Sequence, residues 1–175
     1  MRRLIYSVAI SVDGFIAGPR SEYDWIMPDP AYDFLAHYRR FDTLLMGRRT
    51  YDVARTRGGM LKGTGMRIVV ASSTLKPAEH PDVDVVSGDI PTAVSALKSE
   101  PGKDIWLMGG AHLFRTLVDA GLVDEAQFAV MPVLLGSGLN MLAEGRRCPL
   151  RLEKSEPYPG GMLVLTYSIP TVADF

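Results

Sequence analysis

The chain is poor in the residues that build cross-links and metal centres. It has one cysteine, Cys148, so no disulfide can close within it. Its three histidines, His37, His80 and His112, are scattered without ligand spacing, which argues against a metal site. An excess of charge is missing too. Nineteen basic and twenty acidic residues leave a net charge of −1, so no broad positive field exists to hold a phosphate backbone, and nucleic acid is not expected as a partner. Long apolar runs are also absent. The apolar start Leu4–Ile10 breaks at Ser11 and Asp13, far short of the roughly 20 residues that span a bilayer. It reads as a first strand and not as a signal peptide. The expectation is a cytoplasmic protein without membrane attachment.

What is present is ordinary globular material: 175 residues, 47% hydrophobic and 22% charged, which fits a single domain over 1–175. Short apolar runs bounded by turn residues read as strands at Leu4–Ile10, Thr43–Met46, Ile68–Ala71, Val83–Val86 and Ile105–Met108. Ser11 to Pro30 reads as a long loop, and loops of that length in a small domain are usually functional. A helix is expected over Ala31–Arg40 with Asp29 near its start as a cap, and others over Pro91–Lys98 and after Gly110. Phe128–Leu135 is strand-like despite Pro132. Leu150–Glu153 and Met162–Ile169 follow, and the Pro-Tyr-Pro-Gly-Gly stretch between them suggests a hairpin. Alternating helices and strands followed by strands alone favour an α/β fold with a mostly parallel sheet and an antiparallel C-terminal edge.

Three strand ends carry the chemistry. Asp104–Met108 runs into Gly109, Gly110 and a helix start, where free amides and the positive end of the helix dipole suit a phosphate; a tight turn is the plainer reading. Leu44–Met46 runs into Gly47, then Arg48, Arg49 and Thr50, whose guanidinium groups and hydroxyl suit phosphate oxygens; solvated surface arginines are the plainer reading. Ala71 is followed by Ser72 and Ser73, hydroxyls that together with Arg48 suit an adenosine 2′-phosphate. In an open α/β sheet all three ends share one rim, so together they favour a pyrophosphate-containing ligand.

Ser11-Val-Asp-Gly-Phe-Ile-Ala17, Asp24-Trp25, Leu45-Met-Gly-Arg-Arg-Thr-Tyr51 and Ile105-Trp-Leu-Met-Gly-Gly-Ala111, in this order and spacing, resemble the dihydrofolate reductase-like family. The branch nearest in pattern holds the reductase domain of the bifunctional riboflavin-biosynthesis deaminase/reductase and its stand-alone bacterial relatives. The resemblance covers nearly the whole chain. It implies a three-layer α/β/α fold, NADPH as cofactor, a homodimer, and an oxidoreductase that passes hydride to a small pterin-like or aminopyrimidine heterocycle. Carried over by position, Gly47, Arg48 and Thr50 meet the pyrophosphate and 2′-phosphate, and Ser72 and Ser73 lie along the adenosine; Arg49 and Ala71 are counted with them as cofactor-binding. Gly109, Gly110, Ala111, His112 and Leu113 hold the pyrophosphate, with Met108 near the nicotinamide. Ala9, Ile16 and Ala17 line the nicotinamide end. A solvent-facing first-turn residue is the plainer reading of His112. Asp24, Trp25, Pro28 and Phe34 are expected in the substrate pocket.

The pattern departs from the family at the active-site acid. Relatives of the dihydrofolate reductase type carry an acid two residues after the proline of a Trp-x-x-Pro motif; here Trp25-Ile-Met-Pro28 is followed by Asp29 and Pro30. Asp29 and Asp33 become the candidates for the catalytic carboxylate, with Asp24 and Asp13 behind them, and a substrate phosphate would call on Arg20, Arg55, Arg57 or Lys62. The departure keeps a second reading open, an NADP(H)-binding protein of the same fold that has lost its acid.

Overall fold

The computed structural model describes residues 1–56, 61 and 64–170; Arg57 and Lys62 lie outside them. Six strands run parallel: β1 (Leu4–Ser11), β3 (Phe41–Gly47), β4 (Arg67–Ala71), β5 (Asp84–Val86), β6 (Asp104–Gly109) and β7 (Glu125–Met131). Two more, β9 (Arg151–Pro157) and β10 (Leu163–Ser168), are antiparallel. Together they form one sheet of order β5-β4-β3-β6-β1-β7-β10-β9. Two short strands, β2 (Phe15–Ala17) and β8 (Leu139–Asn140), pair separately. The long loop expected from Ser11 to Pro30 therefore contains a strand, which its three-residue length hid.

The strands read as continuous apolar runs because helices cover both faces. On one face, Val94 and Leu97 of α3 (Ile90–Ser99) and Phe114, Leu117 and Val118 of α4 (Ala111–Asp119) pack against Tyr6, Leu45 and Leu107. Tyr6 stacks on Phe114 with ring centroids 3.7 Å apart. The alternate residues Leu44, Met46 and Val70 face the other way, onto Tyr51 of α2 (Arg48–Thr56). His37 of α1 (Phe34–Arg39) meets Trp106 on that second face. This is the three-layer α/β/α architecture that the family resemblance implied.

Two element boundaries move. The seventh strand ends at Met131, before Pro132, which cannot donate to a ladder. The first helix starts at Phe34 and not at Ala31. Its cap is Asp33, whose Oδ1 accepts from the Ala36 amide at 2.9 Å. Asp29, expected as the cap, is buried and bonded elsewhere. Its Oδ1 accepts from the Ala31 amide at 2.8 Å and its Oδ2 from the Gly160 amide at 2.6 Å. Gly160 belongs to the hairpin turn between β9 and β10, where the Tyr158 amide donates to Met162 O. Asp29 thus ties the segment ahead of α1 to that turn.

Removing a buried acceptor strands both amides. Asp29→Ala is expected to lower the free energy of unfolding by about 1–3 kcal/mol, measured by urea denaturation, with Asp29→Asn losing less because it keeps an oxygen. A wild-type midpoint for Asp29→Ala would show that the tie carries no stability.

Candidate functional site

The site follows from a parting of strands. β1 pairs with β6 only from Leu4↔Ile105 to Tyr6↔Leu107. Beyond that point β1 stays with β7 up to Ser11↔Met131, while β6 stays with β3 up to Met46↔Gly109. At the fork the Ser7 carbonyl accepts from the Trp106 indole N–H at 2.8 Å, a side-chain bond in the place of a ladder bond. The opening leads into a cleft of about 1100 Å³ along the C-terminal ends of the strands.

The two glycine turns are neighbours on this rim because β3 and β6 are adjacent. Gly47 pairs in register with Ala71 of β4, which brings the serine-bearing strand end alongside. Gly109 has φ +146 and its peptide to Gly110 is cis; Gly110 is the N-cap of α4, and no side chain caps that end. A Cβ built on Gly47 meets nothing nearer than Leu113 Cβ at 4.0 Å, and one on Gly110 nothing nearer than Thr50 Oγ1 at 3.6 Å. Packing within the chain therefore does not demand glycine at these two positions. Their bare backbone leaves room on the cleft side, beside a helix start whose dipole favours an anion. A pyrophosphate-bearing ligand fits that arrangement.

Every residue assigned by position to the cofactor lines this cleft. Gly47, Arg48, Arg49 and Thr50 form one wall, Ala71, Ser72 and Ser73 its far end, and Met108 through Leu113 the opposite wall. Ala9, Ile16 and Ala17 close it at the fork. The arginines differ in their commitments. Arg48 is held by Asp52 at 2.8 Å one turn along α2, whereas Arg49 is exposed and has no ion pair among the described residues. Ser72 Oγ accepts from the Leu75 amide at 3.0 Å and the Thr74 amide at 3.2 Å, which leaves Ser73 as the exposed hydroxyl. His112 is exposed at the cleft edge.

The residues assigned to substrate are not brought to the cleft. Asp24, Trp25, Pro28 and Phe34 are absent from its lining, and so are Asp29 and Asp33. Trp25 packs with Ile26 and Tyr32 among the apolar side chains around Met131, its Nε1 buried without a partner among the described residues. Asp13 accepts from the Leu135 and Gly136 amides at 3.1 and 2.7 Å; the Ser11 hydroxyl and these amides hold its carboxyl down at about 2. Arg20 and Arg55 are likewise off the cleft. Glu144 is the one carboxylate among the described lining residues.

Ser7, Ser21, Tyr23 and Ile26 take the places expected of Asp24 and Trp25. Ser21, Tyr23 and Ile26 lie in an irregular loop without periodicity, so no pattern told which side chains turn inward; Ser7 lies on β1. Arg115 and Leu142–Glu144 also join the wall. They meet because the Arg115 guanidinium donates to Arg146 O at 2.8 Å, a contact across 31 residues. No local signal carries it.

Beneath the fork lies a buried polar group. Ser7 Oγ is 3.4 Å from His37 Nε2 and donates to Gln127 Oε1 at 3.1 Å. Burial, reinforced by the Arg40 cation and opposed by Glu125, holds the His37 imidazole down at about 4, so it is neutral at pH 7.

The parting of the strands and the crossovers on both faces define a dihydrofolate reductase-like fold. A dihydrofolate reductase of Enterococcus faecalis, solved with NADP(H), superposes with a TM-score of 0.72 over 97% of each chain, at 15% identity. Residues 2–164 match the RibD C-terminal domain family, and the chain belongs to it. A Shewanella sp. PV-4 structure that carries a riboflavin-biosynthesis name is similar at a TM-score of 0.83 and 26% identity, covering 98% of this chain and 100% of that one. The uncharacterised YyaP protein of Bacillus subtilis (strain 168) is 31% identical over 95% of this chain and 94% of its own.

The unfolded chain takes up the His37 proton near pH 6.5 and the folded chain only near 4. Acidification through that window therefore removes stability, by up to about 1.4 kcal/mol per pH unit for one full proton. Urea midpoints measured from pH 7 to 4 are expected to fall less steeply in His37→Gln than in the wild type.

Proposed function

We propose that this protein is an NADPH-dependent reductase of a small heterocycle, of the pterin or aminopyrimidine kind. The observation that carries this reading is the arrangement of the rim. Two glycine turns lie side by side, one leading into a helix start without a side-chain cap, and Arg49 stands beside them without an ion pair among the described residues. A nicotinamide cofactor supplies hydride when bound, and the chain's own work is to hold and orient.

The Ala111, His112 and Leu113 amides would hold the pyrophosphate, and Arg49 with Ser73 would receive the 2′-phosphate. The edges of β1 and β6, left unpaired by the fork, offer backbone groups to a flat amide at Ala9 and Met108. Ser7, Tyr23, Ile26 and Trp106 then wall the space beside it, where the substrate ring sits and water is excluded. The family and the Shewanella structure's name support the riboflavin-type substrate, and the NADP(H) of the Enterococcus reductase supports the cofactor.

A second reading has a specific observation behind it. Asp29 and Asp33 point their oxygens at backbone amides, and Glu144 is the one carboxylate among the described residues that line the cleft. That arrangement suits a protein that binds NADP(H) without reducing anything. NADPH oxidation against a panel of pterins, aminopyrimidines and quinoid compounds separates the two readings. Turnover of one class supports the reductase, and tight NADPH binding with no turnover supports the alternative. Arg49→Ala is expected to weaken NADPH binding about tenfold while leaving NADH binding within about twofold, a loss of roughly 1.4 kcal/mol, read by quenching of tryptophan fluorescence. Equal losses for both cofactors would remove Arg49 from the 2′-phosphate.

A further inference from the structure

Sheet faces beneath helices are normally apolar, because a buried hydroxyl or amide costs free energy unless it is fully bonded. Here three strands depart from that rule at one level. Ser7 on β1 pairs in register with Gln127 on β7, which pairs in register with Thr166 on β10. Ser7 and Gln127 are each 8% exposed. The three form a ladder across the sheet: Ser7 Oγ donates to Gln127 Oε1 at 3.1 Å, and Gln127 Nε2 donates to Thr166 Oγ1 at 3.4 Å. α1 adds a fourth member from above, His37, whose Nε2 lies 3.4 Å from Ser7 Oγ.

The bonds leave a definite remainder. A serine hydroxyl has one hydrogen and room to accept twice. With that hydrogen directed at Gln127, His37 meets the same oxygen as a donor through Nε2–H, and the buried, neutral imidazole then carries its one proton there. The aromatic walls around the imidazole favour that neutral state: Trp106 and Phe41 have ring centroids 5.0 and 5.2 Å away. The charged groups that act on it are Arg40, which follows α1, and Glu125 of β7. Ser7 then keeps one lone pair, and Ser7 lines the cleft at the fork where β1 leaves β6.

We propose that Ser7 is a specificity-determining acceptor, held in one orientation by His37 and Gln127, and that it selects ring substrates presenting an N–H at that edge. His37 acts through Ser7 and is a positioning residue. This inference rests on the heterocycle reading above for the kind of ligand, though not on reduction taking place.

The test uses the full chain and three ligands, pterin, 3-methylpterin and 2-dimethylaminopterin, in which methyl groups replace one N–H position or the other; the added bulk stays the same in the Ser7→Ala comparison. Binding is followed by tryptophan fluorescence with and without NADPH, so that a failure to bind or oxidise NADPH, which sinks the reductase reading, is seen separately. One of the two blocked ligands is expected to bind the wild type about tenfold more weakly than pterin, the scale of one hydrogen bond. In Ser7→Ala that difference should vanish. Failure of pterin to bind, equal binding of all three ligands, or a difference that persists undiminished in Ser7→Ala overturns the proposal.

The wild-type comparison needs no variant, so a Ser7→Ala protein that fails to fold does not remove the test. Nitrogen-15 NMR of the wild type at pH 7 should show His37 neutral with its proton on Nε2; the other tautomer or an imidazolium contradicts the orientation argued here. His37→Gln, which can still donate, should keep the discrimination that His37→Leu loses. Equal behaviour of the two variants reduces His37 to packing.

Discussion

A sheet stays closed only while neighbouring strands keep donating to each other, and this one stops doing so between β1 and β6 after Tyr6 and Leu107. Each strand remains bonded on its other side, β1 to β7 and β6 to β3. The opening therefore costs only the bonds across the gap, and the Trp106–Ser7 bond replaces one of them. Everything assigned to function depends on this fork. It makes the cleft, turns free backbone edges into its walls, and sets the two glycine turns where one extended ligand reaches both.

The packing beneath explains how the opening is tolerated. Tyr6, the last residue before the fork, is completely buried and stacked on Phe114 of α4, and its hydroxyl donates to the Met141 carbonyl at 2.9 Å. That one side chain joins the end of the closed sheet, the helix behind the glycine turn and the loop that forms the far wall. On the opposite face the aromatic group of Phe41, Tyr38 and Trp106 encloses His37, and Arg40 anchors the end of α1 to Glu125 at 3.0 Å. Both faces are thus braced at the level where the strands part, and rigid walls hold a ligand's groups with little loss of order on binding.

Local chemistry made the rim of glycine turns legible. A strand followed by glycine and a helix start is a short-range pattern, and Gly47-Arg48-Arg49-Thr50 and Gly109-Gly110-Ala111 both show it within a few residues. Parallel strands all end on the same side, so the pattern alone placed these turns on one rim. The substrate end was not legible in the same way. Asp29 and Trp25 were read from their nearness to a Trp-x-x-Pro motif, but the partners that fix them are remote: Gly160 for Asp29, and Met131, Met162 and Val164 for Trp25. A loop has no period, and the inward turn of Tyr23 and Ile26 is settled by what packs against them.

The sequence by itself determined the alternation of helices and strands, the antiparallel close of the sheet, the exclusion of a disulfide within these 175 residues and the family to which the chain belongs. These rest on residue type, spacing and order, which folding does not alter. Only the tertiary structure decided that Asp29 serves the Gly160 amide, and that Ser7, His37 and Gln127 meet under the fork. Those contacts join residues 30 to 131 positions apart. A hydrogen bond across such a distance exists only once the sheet register and the helix packing have brought its two ends together.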